Sequence, residues 1–318
     1  MSTTDAGVPA AAVLRSGGDL KSKKVIRIAW TFDDGPTSLV TGQMERALKG
    51  IPATWYIMRN QIESGNRKKN LVELKRKQDL GGEIAIHSLH PTRSHVSWFP
   101  GKSHSSYEDV GSAVNDLKDF LALLQGEGIR VKFVRFPGGL YSELMAYLYK
   151  LGVDGQGQRD TIARNIIAGR PIPRVSKKLA EAEQVKKDFE FVKASLKELG
   201  LHEWGGSGRG EPEIGVQSWQ AQSDPEEGKL DDTLTGEKGK FTTMVPRVAE
   251  GGGPGSLVIL AHDTRTPHEK IAPGATALRV AKTALDIAAM EKQALERGVR
   301  IDYYRMRDLF VELRGEEP

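Results

Sequence analysis

The sequence predicts an α/β fold built on a parallel sheet. Segments rich in β-branched and aromatic residues alternate along the chain with segments of helical periodicity, an order typical of strands joined by helical crossovers. Polar clusters follow directly after several of the predicted strands. In parallel α/β folds the chemistry gathers where strands end and loops begin, so these clusters hold the candidate functional residues.

The predicted strands are short and mostly apolar. Residues 25–32 form a buried strand that leads into the turn Asp33-Asp34-Gly35-Pro36. Residues 53–58 are rich in β-branched and aromatic side chains, which favour a second strand. Further strands are predicted at 83–86, 131–136, 214–219, 257–261 and 299–304.

Helical patterns occupy the segments between these strands. Residues 38–49 place Leu39, Met44, Ala47 and Leu48 on one apolar face, as expected for a helix packed on a sheet. Four further helices are predicted at 66–79, 107–124, 141–150 and 275–294.

One predicted helix lies in a long stretch between two strands. Apolar residues recur at intervals of three and four from Leu179 to Leu199, which is the pattern of an amphipathic helix. Its polar face carries both signs of charge, which favours packing on the domain over binding to a membrane surface. We therefore predict a helical insertion at about residues 160–210.

The composition excludes several kinds of site and partner. The 318 residues include 46 Lys and Arg against 42 Asp and Glu, a net charge of +4, and so small an excess does not indicate a nucleic-acid partner. The chain has no cysteine, which excludes disulfides, thiolate metal sites and cysteine nucleophiles. No run approaches the roughly 20 apolar residues of a membrane-spanning helix. Any metal must therefore bind to histidine nitrogen and carboxylate oxygen.

The first 22 residues are small and polar, and we expect a flexible lead-in before a domain at 23–318. The apolar stretch from Pro9 to Leu14 follows a leader that carries Asp5 and no Lys or Arg, unlike a signal peptide. The sequence leaves three alternatives open: a cytoplasmic protein, export by a non-classical route, or a signal that has been removed.

Two adjacent carboxylates, Asp33 and Asp34, follow the first strand. Asp is common in such turns because it caps backbone amides. Placing two neighbouring carboxylates after a buried strand costs more free energy than placing one, because like charges raise one of the two pKa values. A divalent cation would relieve that cost, with one Asp binding the metal while the other stays a free base.

Two histidines, His87 and His90, follow the third strand in the segment His87-Ser88-Leu89-His90-Pro91. Histidines three residues apart can face the same way on one helical turn. Together with one carboxylate they would supply three ligands, the number that a catalytic Zn²⁺ keeps while leaving a position for water.

Three later strands also end in polar residues. Arg135 precedes Pro137-Gly138-Gly139, and a buried Arg there would need a carboxylate partner. Trp219 ends the next strand, with Asp224 just beyond it. His262 follows a run of large apolar residues at the end of the strand after that.

In this order, the motifs resemble those of the NodB-type polysaccharide deacetylases, a carbohydrate esterase family. They read TFDDGP, HSLHP, RFPGG, SW followed by SD, and LAHD, and the resemblance runs from Lys23 to Leu309. It extends to Pro52–Tyr56, which is similar to the family's Ala-Thr-Phe-Phe strand. The resemblance implies a distorted, incomplete (β/α) barrel that uses a divalent metal to remove acetyl groups from N-acetylated sugars.

The resemblance also implies roles for the residues of the first three motifs. Asp33 would be the general base, oriented by Arg135. Asp34, His87 and His90 would hold the metal, for which Zn²⁺ is the preferred ion and Co²⁺, Ni²⁺ or Mn²⁺ are alternatives.

The later motifs would complete the site. His262 would be the general acid, and Asp224 could hold it in its proper tautomer. Leu260 would receive the acetyl methyl, and a backbone N–H near Tyr141 would stabilise the oxyanion. The implied substrate contacts are Pro137, Gly138, Tyr141, Trp219 and Leu260.

Three departures from the family's pattern bear on these roles. The family usually separates its motif histidines by four positions, but here the fourth position is Pro91. We prefer His90 as the ligand, with His95 as the alternative. Gly138 stands where an aromatic residue is common, which would open the site. In the fourth motif Gln222 and Pro225 replace the expected Asp and Trp, which puts the role of Asp224 in question.

The implied substrate is an N-acetylglucosamine-type saccharide or cell-wall glycan. Two other functions stay open. The first is a related metal-dependent amidohydrolase acting on a smaller acylated or formylated molecule, which the lack of a clear signal peptide favours. The second is an inactive member of the family that binds carbohydrate, which the shortened histidine spacing favours. The sequence does not indicate an oligomeric state.

Overall fold

The computed structural model describes residues 24–36, 40–64, 66–101, 105–172, 178–203, 217–220, 234–237, 239–262 and 275–314. The expected lead-in at 1–22 lies outside these residues. None of the described helices combines the length and the apolar character needed to cross a lipid bilayer.

Eight strands form a single sheet in which every pair of neighbours is parallel. The strand order is β5-β4-β3-β2-β1-β7-β6, and β8 also pairs with β1. Within the described residues β5 and β6 do not pair with each other, so the sheet that these residues form is open. The predicted α/β class and the incomplete (β/α) barrel are confirmed. The strands are β1 (Val25–Gly35), β2 (Ala53–Met58), β3 (Glu83–Ser88), β4 (Val131–Val134), β5 (His202–Glu203), β6 (Gln217–Gln220), β7 (Gly255–His262) and β8 (Arg300–Tyr304).

Ten helices connect or flank these strands in the described part of the chain. The predicted helices are all present, with ends shifted by a few residues. The structure adds short elements that the sequence patterns did not predict, namely α2, α6, α8, α10 and β5. The helices are α1 (Val40–Leu48), α2 (Arg59–Glu63), α3 (Arg67–Asp79), α4 (Val110–Gly126), α5 (Leu140–Lys150), α6 (Gln156–Ile167), α7 (Leu179–Glu198), α8 (Lys240–Ala249), α9 (Ala275–Glu296) and α10 (Met306–Arg314).

The amphipathic helix α7 packs on the domain, as its charge pattern predicts. Its buried residues recur at intervals of three and four, and the helix contacts α4 and α5. The apolar side chains on this face are Ala182, Val185, Phe189, Val192 and Leu196.

Strand β1 is central and is paired along both edges. β7 pairs with one edge, while β8 pairs with the first half of the other edge and β2 with its second half. Every residue of β1 is buried. Polar side chains at the end of this strand therefore need partners within the protein.

Alternate residues of the strands face two different layers, as the period of two in a strand requires. On the outer face, Phe32 stacks on Trp55 with ring centroids 4.6 Å apart, and Trp30 continues the stack. Burying a side chain of this size stabilises the fold by about 1.5–3 kcal/mol. The inner face forms a separate cluster of residues from five strands and α10, namely Ala29, Tyr56, Ala85, Phe133, Val258, Met306, Leu309 and Phe310.

Helix α10 closes the amino end of the inner face. Thr54 Oγ1 accepts a hydrogen bond from the N–H of Met306 at 2.9 Å and donates one to Glu83 Oε2 at 2.8 Å. Glu83 Oε2 also accepts from the N–H of Arg307 at 3.1 Å. These contacts satisfy two N–H groups of the first helical turn, which have no acceptor within the helix. Burial raises the pKa of Glu83 to about 7.

Candidate active site

Asp33 and Asp34 both lie near the ring of His87, although neighbours in a regular strand face opposite sides. A shift in the pairing of β1 with β2 between Asp33 and Gly35 explains this, together with the left-handed φ of 73° at Asp34. His87 Nε2 lies 3.5 Å from Asp34 Oδ1 and 3.8 Å from Asp33 Oδ2. The irregular end of β1 thus brings two buried carboxylates to one imidazole.

Arg135 neutralises one of these carboxylates. Its Nη1 donates to Asp33 Oδ1 at 2.5 Å and its Nη2 donates to Thr31 Oγ1 at 3.0 Å. The guanidinium also lies over the ring of Tyr56, 3.9 Å from the ring centroid. Removing one partner of so deeply buried an ion pair costs about 3–5 kcal/mol. The structure thus provides the carboxylate partner that the sequence required for a buried Arg135.

His87 has a defined tautomer. Its Nδ1 lies 2.9 Å from the carbonyl oxygen of Arg135, and because a carbonyl only accepts, Nδ1 carries the proton. The lone pair of Nε2 therefore faces Asp33 and Asp34. Burial lowers the pKa of His87, while the charges of Asp33 and Asp34 act in the opposite direction. The neutral ring is the form that binds metals.

The third member of this group is His95. Its Nε2 lies 2.6 Å from Asp34 Oδ1, and its ring stands edge-on to that of His87 with centroids 5.9 Å apart. One potential ligand atom each from Asp34, His87 and His95 lies within 4.8 Å of the others. Asp34 and His87 are buried, whereas the side chain of His95 is 31% exposed, so one side of the group is open to solvent.

The structure does not bring His90 into this group. His90 Nδ1 accepts hydrogen bonds from the N–H groups of Thr92 and Arg93 at 3.2 and 3.1 Å. The Nε2 of the same ring lies 3.1 Å from Arg93 Nε. His90 instead lines a separate cavity of about 400 Å³ with Tyr107 and Asp116.

The preference for His90 over His95 depends on the retained His-Pro pair at 90–91. The helical turn that would let His87 and His90 face the same way is absent, because the chain after β3 is not helical. The sequence does contain an indication that the position of His95 is fixed by packing. Val96, Trp98 and Phe99 follow it, and all three are almost fully buried. A histidine leading into such an apolar run is held in place by packing.

Asp34, His87 and His95 fit a divalent metal by the chemistry of their donor atoms. They offer one carboxylate oxygen and two imidazole nitrogens, a set that suits Zn²⁺ and leaves a coordination position open. The hydrogen bond from His87 Nδ1 to a backbone carbonyl is the support that metal-binding histidines commonly have.

The substrate contacts implied by the third motif follow Arg135 in the chain, from Pro137 to the first turn of α5. Pro137 is buried, and Gly138 is exposed with a φ of 76°, a left-handed conformation that favours glycine. Tyr141 is the second residue of α5, and its hydroxyl donates to Asp160. Its backbone N–H is one of the first-turn groups that have no acceptor within the helix.

The later motifs are described in part. β7 ends at His262, and the ladder places the backbone of His262 directly beside that of Asp33. Leu260 lies two residues earlier in β7 and is partly buried, and Trp219 lies in β6. Asp224 falls outside the described residues, so its expected contact with His262 stays a prediction.

Comparisons with solved structures return carbohydrate-active relatives of low identity. Peptidoglycan deacetylase PdaC from Bacillus subtilis is 16% identical, with a TM-score of 0.42 and 94% of this chain and 95% of that chain covered. The catalytic domain of peptidoglycan N-acetylglucosamine deacetylase from Eubacterium rectale is 13% identical, with a TM-score of 0.41 and 89% of each chain covered. A family 4 acetyl xylan esterase from Clostridium thermocellum, in complex with a cobalt ion, is 15% identical, with a TM-score of 0.39 and 90% of each chain covered.

No curated protein matches this sequence. Because these TM-scores lie below 0.5, similarity to a family is assessed from the sequence. Residues 21–155 match the model of the family described as polysaccharide deacetylase. This stretch contains β1 to β4, and with them the Asp33–Arg135 pair and the group Asp34, His87 and His95. The match covers 135 of the 318 residues, and over this stretch the chain is similar to the polysaccharide deacetylase family.

Proposed function

We propose that this protein removes N-acetyl groups from N-acetylglucosamine-type saccharides, such as a cell-wall glycan, and releases acetate. One observation carries the proposal. A buried carboxylate paired with Arg135 lies directly beside a group of three residues, Asp34, His87 and His95, that can hold a divalent metal. A base next to a metal site is what hydrolysis of an unreactive amide requires.

The proposed ligands are Asp34, His87 and His95, and the proposed ion is Zn²⁺, with Co²⁺, Ni²⁺ or Mn²⁺ as alternatives. His95 takes the place of His90 because its Nε2 already lies beside Asp34 Oδ1. When bound there, such an ion would polarise the acetamide carbonyl and lower the pKa of a bound water from 15.7 toward about 7.

Asp33 is the proposed general base. Its Oδ1 is held by Arg135, and its Oδ2 faces His87 on the side of the metal group. The guanidinium fixes the orientation of the carboxylate, so that Oδ2 would accept the proton of the water that attacks the carbonyl carbon. General-base catalysis of this kind contributes about 10²–10⁴-fold.

His262 is the proposed general acid, which donates a proton to the amine nitrogen as the carbon–nitrogen bond breaks. Its support is the ladder register, which sets its backbone beside Asp33. The N–H of Tyr141, at the positive end of α5, is the proposed oxyanion donor, and one such donor contributes about 3 kcal/mol. Leu260, Pro137, Gly138 and Trp219 would contact the sugar or the acetyl group, and Asp224 would orient His262.

The test combines metal loading with product analysis. Protein stripped with a chelator is reloaded with Zn²⁺, Co²⁺, Ni²⁺ or Mn²⁺, and acetate release is measured on N-acetylglucosamine oligomers and on small N-acetyl and N-formyl compounds. We expect metal-dependent acetate release from the oligomers. Activity on the small compounds alone would favour the related amidohydrolase. Metal binding without turnover of any substrate would indicate a carbohydrate-binding protein.

The acid role of His262 has its own test. His262→Ala should lower kcat/KM for amides by about 10²–10⁴-fold. The loss should be much smaller for an activated acetate ester, because its phenolate leaving group needs no proton. Equal losses for both substrates would show that the proton comes from another residue.

A further inference from the structure

The loop that carries His95 is anchored by a buried glutamate outside the metal group. Glu143 lies in the first turn of α5 and is 3% exposed. Its Oε2 accepts hydrogen bonds from the N–H groups of Trp98 at 2.9 Å and Phe99 at 3.2 Å, and Ser97 adds a side-chain hydrogen bond. One carboxyl group thus binds the backbone three and four residues beyond His95.

His95 needs such an anchor because its backbone is in an uncommon conformation. Its φ is 50°, in the left-handed region. A residue other than glycine held in such a conformation costs about 1–3 kcal/mol, and the conformation persists only where the surroundings enforce it. The loop beyond it is held by the backbone bonds Ser97 N–H to Ser105 O at 2.8 Å and Tyr107 N–H to Ser97 O at 3.0 Å, and by Glu143.

Trp98 and Phe99, whose N–H groups bind Glu143, also pack the His95 loop against the segment that follows β4. The ring of Trp98 packs edge-on against Phe136 with centroids 4.7 Å apart, and Phe99 contacts the same ring. Phe136 follows Arg135, whose carbonyl oxygen orients His87. The segment that orients one histidine of the metal group is therefore packed against the segment that carries the other.

We propose that Glu143 is a positioning residue of the metal site, which holds the 95–99 segment so that His95 Nε2 reaches Asp34. This inference rests on the proposed function, because it assigns Glu143 a role toward the metal. Burial raises the pKa of Glu143 well above its usual value, which favours the neutral carboxyl group. Glutamine matches that neutral group in shape and in its acceptor oxygen. Glu143→Gln is therefore the conservative variant, and Glu143→Met removes all three hydrogen bonds at similar volume.

A matched control is available at the other end of the sheet. Glu83 is also a buried glutamate that accepts from a backbone N–H, but it anchors α10. Glu83→Met should lower stability in the same way as Glu143→Met without moving the metal group.

The experiment measures Zn²⁺ affinity of the full chain by competition with a chelator, together with the melting temperature. We expect Glu143→Met to weaken Zn²⁺ binding by about 10–100-fold, the usual effect of losing a group that supports a ligand. Glu143→Gln and Glu83→Met should stay within about threefold of the wild type. If Glu143→Met does not fold, Glu143→Asp, which withdraws the carboxyl from the amides, should weaken binding in the same direction.

A double-mutant cycle shows whether Glu143 acts through His95. In a His95→Ala background, Glu143→Met should cause no further loss of Zn²⁺ affinity. Unchanged affinity in Glu143→Met, or equal losses in Glu143→Met and Glu83→Met, would overturn the positioning role while leaving the proposed function intact. A wild-type chain that binds no divalent metal would overturn both.

Discussion

Charged side chains are buried at both ends of the inner face of the sheet, but the two ends differ in the partners that these side chains have. At the amino end, Glu83 is satisfied by Thr54 and an N–H of α10, and Arg27 pairs with Glu312 at 2.9 Å. At the carboxyl end, Asp33 and Asp34 converge on one imidazole, and Arg135 pairs with only one of them.

The difference separates a structural end from the end that holds the proposed active site, which we call the reactive end. At the amino end each polar group meets a partner of its own, so the arrangement stabilises the fold as it stands. At the carboxyl end two like charges are gathered around one histidine, which is unfavourable unless a cation joins them. Left-handed backbone at Asp34 and His95 adds to the cost there. Strain of this kind collects at functional sites.

The largest expected effect comes from Asp34, the carboxylate that lies between His87 and His95. Asp34→Ala should abolish both metal binding and activity, because it removes the carboxylate shared by His87 and His95. Metal content by elemental analysis and acetate release on oligomers provide the measurement. Full metal occupancy in this variant would exclude Asp34 from the site.

The next effect distinguishes the base from the ligands. Asp33→Asn should keep the metal, since Asp33 lies outside the proposed ligand set, yet lose about 10²–10⁴-fold in kcat/KM. The amide oxygen of Asn can still accept from Arg135 but cannot take up a proton at useful pH. Loss of metal together with activity would instead make Asp33 a ligand.

A third prediction tests which histidine belongs to the reactive end. His95→Ala should weaken Zn²⁺ binding by more than about 100-fold, because loss of a supporting group alone costs about 10–100-fold. His90→Ala should stay within about twofold, since the His90 ring is engaged by Thr92 and Arg93. Chelator competition measures both. The reverse order would return the ligand role to His90.

The smallest effect belongs to the amino end and concerns stability alone. The pKa of Glu83 is raised to about 7 by burial, so its stabilising contribution is present below about pH 4 and is lost as the pH rises through 7. Glu83→Gln mimics the protonated form and lacks this dependence. Between pH 5 and 8 the variant should therefore gain about 3 kcal/mol relative to the wild type.

Urea unfolding at the two pH values measures this gain. The metal affinity should not change. A stability difference that is the same at both pH values would mean that Glu83 keeps its charge in the folded protein.

Much of the fold followed from local patterns. The alternation of strands and helices predicted the parallel sheet, and the amphipathic spacing in α7 predicted its packed face. Helix α10 escaped prediction because it is short, and its place depends on contacts with Thr54 and Glu83 more than 200 residues away.

The sequence by itself determined which residues gather at the reactive end. Asp33, Asp34, His87 and Arg135 each lie at or just after the end of a predicted strand, and parallel strands place their carboxyl ends at one edge. Only the tertiary structure decided that His95 joins them while His90 turns away. That choice depends on a left-handed residue, on the apolar packing of 96–99 and on the carboxyl of Glu143. These are long-range contacts of an irregular loop, and periodicity carries no information about them.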